Sequence, residues 1–468
     1  MMNQFPKQGA TQDQDFDYNQ LAQWDKDYVW HPFTQMQMWK ANDPLIIERG
    51  EGSYLIDVLG NRYLDGISSL WVTVHGHAHP ILTQAIKDQV DKIAHTTLLG
   101  LANVPSIKLA KKLVEITPHG LEKVFYSDAG ATSVEIALKI AFQFWQQQPD
   151  PQVRQKKKFI SLEEAYHGDT VGAVSVGGMD LFHATYRDLL FEGYRVPTPY
   201  CYRCSLGRER DACDLACVQV VENIMAEHIQ EIAGMIIEPL VQGAAGMLMA
   251  PEGYLRKIRE LCTKYNILLI ADEVAVGFGR TGTLFACEQE EVSPDIMCIA
   301  KGLTGGYLPV SATLTTETIF QAFLGELHEG KTFYHGHTFT GNPVGCAVAL
   351  ANIDIIEQTR LIDHVQHLAQ LLSAELELFK LLKHVGDVRQ KGLMVGIELV
   401  KDKQSKESYT LEENIGHHVI LEARKNGLII RPLGNVIILM PILAMSEEEL
   451  QQVISITYHA IKNVTERE

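Results

Sequence analysis

Five short apolar runs alternate with helix-periodic segments between residues 124 and 300, and no other feature restricts the fold of this chain so tightly. The runs are 124–127, 158–162, 235–238, 267–272 and 296–300, with amphipathic patterns such as 133–145 and 253–265 between several of them. A run this short, bounded by turn residues, reads as a strand buried on both faces. Strands alternating with helices predict an α/β domain, a mostly parallel sheet covered by helices on both sides. Outside this region the pattern changes. Strands at 45–47, 54–58 and 63–65 are separated by turn signals at 50–53 and 60–61 and form a small sheet. From about residue 352 the chain predicts an α+β region: a long helix over 361–382, strands at 385–389 and 394–399, a helix over 415–425, and strands at 428–431 and 436–439. Residues 1–27, rich in Gln and Asp, read as a flexible arm.

The fourth run ends on Asp272 and the fifth delivers Lys301, within ILLIADEVAVGFGRTG and PDIMCIAKGLTGG. Both residues fall where a strand gives way to a loop, which is where open α/β sheets place their chemistry. A lysine leaving apolar surroundings loses hydration, so its amine deprotonates more readily and attacks an aldehyde better. A carboxylate at a neighbouring strand end can keep a pyridine nitrogen protonated. These are the two fixed requirements of pyridoxal phosphate, a Schiff-base lysine and an acid partner that keeps the ring an electron sink. Alone, such an Asp is commonly a helix cap and such a Lys a solvated surface group. The pair, with glycines in both following loops, carries the reading. Together the two segments resemble the signature of class III pyridoxal-phosphate aminotransferases.

That resemblance implies a fold-type I transferase, with residues 66–351 as a large cofactor domain and a small domain built from 28–65 and 352–468. It also implies a homodimer with active sites at the subunit interface. The segment VFYSDAGAT ends the first run and opens a helix, so Gly130, Ala131 and Thr132 present N–H groups at a helix N-terminus. In similar enzymes this turn cradles the cofactor phosphate. Gly336, His337 and Thr338, in FYHGHTFTGNP, supply a second phosphate and substrate contact there, the threonine reaching across from the partner. The resemblance further places Tyr166, in the segment YHGD, against the cofactor ring. Glu238 also ends a predicted strand, where a contact with the cofactor edge and an ion pair with Arg280 are both open readings.

Composition excludes other classes. A 468-residue chain that is 46% hydrophobic can bury a large core, and a net charge of -17 argues against a nucleic-acid surface. No apolar run is long enough to span a membrane, and the N-terminal residues lack the pattern of a signal peptide, so a cytoplasmic location is expected. Cys201, Cys204, Cys213 and Cys217 lie in a C-x2-C-x8-C-x3-C spacing that permits a tetrahedral zinc site. The segment is insertion-like, with Arg and Asp and no chemistry beside it, so reduced thiols and no resident metal are expected.

Substrate choice is written elsewhere. Trp30 to Phe33, the segment DGISSLWVTVHGHAHP around Trp71, and Arg431 to Gly434 resemble the family that aminates 8-amino-7-oxononanoate to 7,8-diaminononanoate in biotin synthesis. A long-chain keto acid requires an apolar, aromatic-walled tunnel and a cation for its distant carboxylate. The resemblance assigns Trp71 and Tyr166 to the wall and Arg431, with its bidentate fork, to the carboxylate. Members that draw nitrogen from S-adenosylmethionine usually carry Tyr where this chain has Phe33, and Trp where it has Leu70. The same Phe occurs in a branch that uses lysine, which points to a lysine donor. An ω-amino acid:pyruvate aminotransferase of the same class is the alternative.

Overall fold

A computed structural model describes residues 17–209 and 212–466. Its largest sheet has seven strands, in the order Leu121–Ser127, Ser311–Thr316, Ile296–Ile299, Leu268–Asp272, Ile232–Ile237, Lys158–Leu162 and Tyr194–Val196. Six of these run parallel and Ser311–Thr316 alone runs against them, giving the mostly parallel α/β sheet expected. Every residue of the three central strands is buried, which is why they read as unbroken apolar runs rather than alternating ones. The pleat still sorts them. Ile236, Ile270 and Cys298 pack under the helix Gly130–Gln146. Met235, Ile237, Leu269 and Ala271 face the helices Ala216–Glu227 and Tyr254–Lys264 on the other side.

The first arm of the chain departs from expectation. Residues 1–16 of the expected flexible segment lie outside the described residues, but Tyr18–Tyr28 forms an α-helix. Local polar bonds fix it where apolar burial is scarce. Asp17 caps its N-terminus by accepting from the N–H groups of Asn19 and Gln20, and Asp25 receives the Trp39 indole N–H at 2.7 Å and His31 at 2.9 Å.

Both chain ends contribute to one small sheet, in which Ile47–Glu51, Tyr54–Asp57 and Arg62–Asp65 are joined by Leu428–Ile429 pairing parallel to Leu64–Asp65. The strand expected over 428–431 is thus divided. Arg431–Leu433 pairs instead with Val436–Leu439 at the edge of a second four-stranded sheet, where Pro432 withholds no needed donor. The helix expected over 361–382 also changes form, running as an α-helix to Leu376 and as a 3-10 turn over Glu377–Leu381. Helix Pro343–Gln358 passes through the expected domain boundary at 351/352, so no break in secondary structure marks it.

Candidate active site

A cavity of about 660 Å³ opens at the C-terminal ends of the parallel strands, lined by Trp71, Gly130, Ala131, Tyr166, Asp272 and Lys301, among others. The fold brings together residues separated by about half the chain. Phe33, Gly336, His337, Thr338 and Arg431 are not part of its lining.

Asp272 is the last residue of its strand and is 4% exposed. Its Oδ2 lies 2.7 Å from His167 Nδ1, and its Oδ1 accepts the Val274 N–H at 3.1 Å. The far nitrogen of that histidine, Nε2, is buried without a partner among the described residues. Glu238 is also buried at a strand end, its carboxylate accepting the N–H groups of Gly243 (3.0 Å) and Tyr166 (3.4 Å). Burial pushes its pKa up to about 7. Arg280 does not pair with Glu238. It donates to the carbonyls of Pro441 (2.6 Å) and Thr73 (2.8 Å), a role for which the sequence offered no signal.

Lys301 opens the 3-10 turn Lys301–Thr304 with φ at 46°, strained backbone for a residue with a side chain. Its ammonium lies 5.1 Å over the Trp71 ring. Burial holds the amine below the ordinary lysine range; Asp272 and Glu238 oppose that shift and Arg280 adds to it. A buried amine of this kind is kept poised for deprotonation.

The helix Gly130–Gln146 begins three residues before its expected start, which puts Gly130 and Ala131 in its first turn, where N–H groups have no intrahelical partner. Two glycines let neighbouring loops close over this turn. A Cβ on Gly130 would lie 2.6 Å from Val274 Cγ1, and one on Gly168, at φ 118°, would lie 2.4 Å from the Ala131 Cβ. Asp128, just before the turn, contacts His337 Nε2 at 3.0 Å, while Gly336 and Thr338 are exposed.

Tyr166 donates to Asp169 at 2.6 Å and sits edge-on to Phe182, with ring centres 6.3 Å apart. Phe33 reaches the same ring from outside, at 5.2 Å. Arg431 is close enough to Tyr166 for the phenol to act on its charge, and its guanidinium makes no ion pair or hydrogen bond among the described residues. Burial lowers its pKa from the usual arginine value, a cost that an anion beside it would relieve.

The donor set fits pyridoxal phosphate. A buried amine suits an aldehyde carbon, a helix N-terminus suits a phosphate dianion, and an anionic carboxylate suits a protonated ring nitrogen. The unpartnered buried nitrogens of His167 and Trp71, both in the cavity wall, mark it as a place meant to receive polar groups. His167, Gly168 and Asp169 carry much of this geometry, although only Tyr166 is assigned a role from its segment alone. Their signal was the unbroken YHGD segment after a strand end. Elsewhere, the four clustered cysteines line a small cleft, with burial pushing the Cys217 thiol up to about 11. Among the described residues no group of three or more His, Cys, Asp or Glu side chains is placed to hold a metal ion. No helix among them is long and apolar enough to cross a membrane.

The family described as aminotransferase class-III matches residues 36–461 of the chain. The chain is 52% identical over 452 residues to the adenosylmethionine-8-amino-7-oxononanoate aminotransferase of Geobacter sulfurreducens, covering 96% of this chain and 99% of that protein. It is 50% identical over 448 residues to the protein of the same name from Staphylococcus aureus, covering 96% and 98%. A crystal structure of that enzyme from Methanocaldococcus jannaschii superposes with a TM-score of 0.91 at 48% identity, covering 96% of this chain and all of the other. The ω-transaminase of Pseudomonas jessenii in complex with PMP superposes at 0.90 with 33% identity, covering 95% and 98%.

Proposed function

Because this chain belongs to the class-III aminotransferase family, we propose that it transfers an amino group to C7 of 8-amino-7-oxononanoate, making 7,8-diaminononanoate for biotin synthesis. The observation that carries the substrate assignment is Arg431: a part-buried guanidinium without an ion pair among the described residues, near enough for the phenol of Tyr166, a residue of the cavity wall, to act on its charge. A remote carboxylate would satisfy the guanidinium while an aliphatic chain lies along Trp71.

Pyridoxal phosphate, when bound, supplies an electron sink for the pair released as a proton leaves an amine-bearing carbon. Lys301 would hold its aldehyde carbon, Asp272 would pair with its ring nitrogen, and Gly130 and Ala131 would cradle its phosphate. Lys301 Nζ takes the proton from the donor carbon and, in the second half of the cycle, delivers one to C7 of the acceptor. His167 keeps Asp272 oriented through the 2.7 Å contact. Trp71 and the Tyr166 ring close the cavity walls around the reacting carbon and exclude water.

For the donor we propose lysine. Phe33 presents a bare ring to Phe182 and Leu70 presents no indole, so these two positions carry neither the hydroxyl nor the second flat ring that a large sulfonium donor would use. Purified enzyme given 8-amino-7-oxononanoate should form diamine with lysine. Diamine with S-adenosylmethionine and none with lysine refutes the donor assignment, and efficient turnover of pyruvate with neither diamine product refutes the acceptor.

The working unit we propose is a homodimer, in which Gly336 and Thr338 serve the partner's cavity. Both are exposed and outside the cavity of their own chain, and the neighbouring Tyr334 and Phe339 are 75% and 57% exposed, more apolar surface than a monomer needs to show. Sedimentation equilibrium should give twice the chain mass; a monomer retaining full activity contradicts this.

A further inference from the structure

The segment that carries Trp71 has an unusual backbone. Ser68, Ser69 and Trp71 all take positive φ, at 51°, 61° and 66°. Ser69, with ψ at -74°, adopts the strained hand of the γ-turn, which side-chain-bearing residues rarely enter. Such geometry persists only where surrounding contacts over-determine it.

Asp65 supplies those contacts. It is 0% exposed, and its carboxylate accepts from the N–H of Ser69 at 2.8 Å, the Ser69 hydroxyl at 3.0 Å and the Ile67 N–H at 3.4 Å, with His77 Nε2 at 3.0 Å. The other side of the loop is tied by the Ser68 hydroxyl to the Met440 carbonyl at 2.8 Å and by Arg280 to the Thr73 carbonyl. Between these ties the Trp71 ring is set into the cavity wall. It packs so closely on Gly243 that a Cβ there would lie 3.3 Å from Cζ3. Its indole N–H is buried without a partner among the described residues, a donor reserved for whatever enters.

We propose that Asp65 is a positioning residue for substrate recognition: by holding the γ-turn at Ser69, it fixes the Trp71 ring against the acceptor without touching acceptor or cofactor itself. This rests on the reading of Trp71 as part of the substrate wall. The cofactor ligands Lys301, Asp272 and Gly130 stand on other elements, so loosening Asp65 weakens acceptor binding more than it weakens cofactor capture.

The test is a set of variants assayed with 8-amino-7-oxononanoate, with the visible absorbance of the loaded enzyme followed in parallel. Asp65→Asn should raise KM about tenfold, the worth of a hydrogen bond to a charged group, with kcat changed less than about threefold and the absorbance band retained. Adding Ser69→Gly should recover most of that KM, because glycine takes this φ without the carboxylate's grip. If Asp65→Asn does not accumulate folded, Ser69→Ala and Ser69→Gly give the same test singly, with the lower KM expected for glycine. Trp71→Ala separates the two levels. If it leaves KM unmoved, the wall reading fails; if it raises KM while Asp65→Asn does not, or if glycine at 69 brings no recovery, the positioning role is overturned.

Discussion

Lys301→Ala is expected to lower turnover by at least about 10⁴-fold, because one side chain serves as both nucleophile and proton carrier. No neighbour can replace it. The Tyr166 hydroxyl is held by Asp169 and its pKa is raised by burial, His167 is engaged with Asp272, and the Glu238 carboxylate is occupied by two backbone N–H groups. The same substitution removes a buried amine and leaves an alanine at φ 46°, so the cofactor-free variant should melt no lower than the parent within about 2 °C. Activity above about 1% of the parent, in protein shown by mass spectrometry to carry the substitution, contradicts the assignment.

Asp272→Asn has the next largest expected effect, a loss of about 10² to 10³ in kcat at saturating cofactor, typical for removing one charge fixed against a developing one. The shape is retained but the charge is not. Asp272 raises the pKa of Lys301 in the parent, so its neutralisation should move the lysine's titration to lower pH. Followed in the cofactor-free enzyme, as the pH dependence of reductive trapping of Lys301 by a small aldehyde, the transition should therefore shift toward acid. A transition that stays in place while kcat falls separates Asp272 from the lysine and limits its role to the ring.

What could be read in the chain followed from how local each signal was. Lys301 and Asp272 are legible because one follows and the other ends a fully buried strand, and a buried parallel strand writes itself as an apolar run. The antiparallel neighbour Ser311–Thr316 carries SATLTT, whose hydroxyls hide it from any hydrophobic pattern although five of its six residues are buried. Those hydroxyls are satisfied within the sheet and its helix, as in Ser127 to Ser311 at 2.7 Å and Thr313 to the Ser133 carbonyl at 2.8 Å. The helix at Gly130 starts three residues before its apolar period does, because its first turn is made of small residues. Arg280 and Asp65 were illegible for a different reason: their partners are set by loops that meet only in three dimensions. No residue preference announces positive φ at two serines and a tryptophan.

The stitching of the chain ends has a consequence for biosynthesis. The Trp71 loop hangs from residues made long after it: Leu428–Ile429 pairs with Leu64–Asp65, and Ser68 binds the Met440 carbonyl 372 positions away. At ordinary elongation rates those partners leave the ribosome roughly 20 to 75 seconds after the loop does. Throughout that interval the emerging polypeptide displays the Arg62–Asp65 edge unpaired, a surface that invites mispairing and calls for chaperone cover. The nascent chain can therefore complete the Lys301 end of its cavity before the wall that recognises a substrate exists, so the chemistry is built ahead of the selectivity.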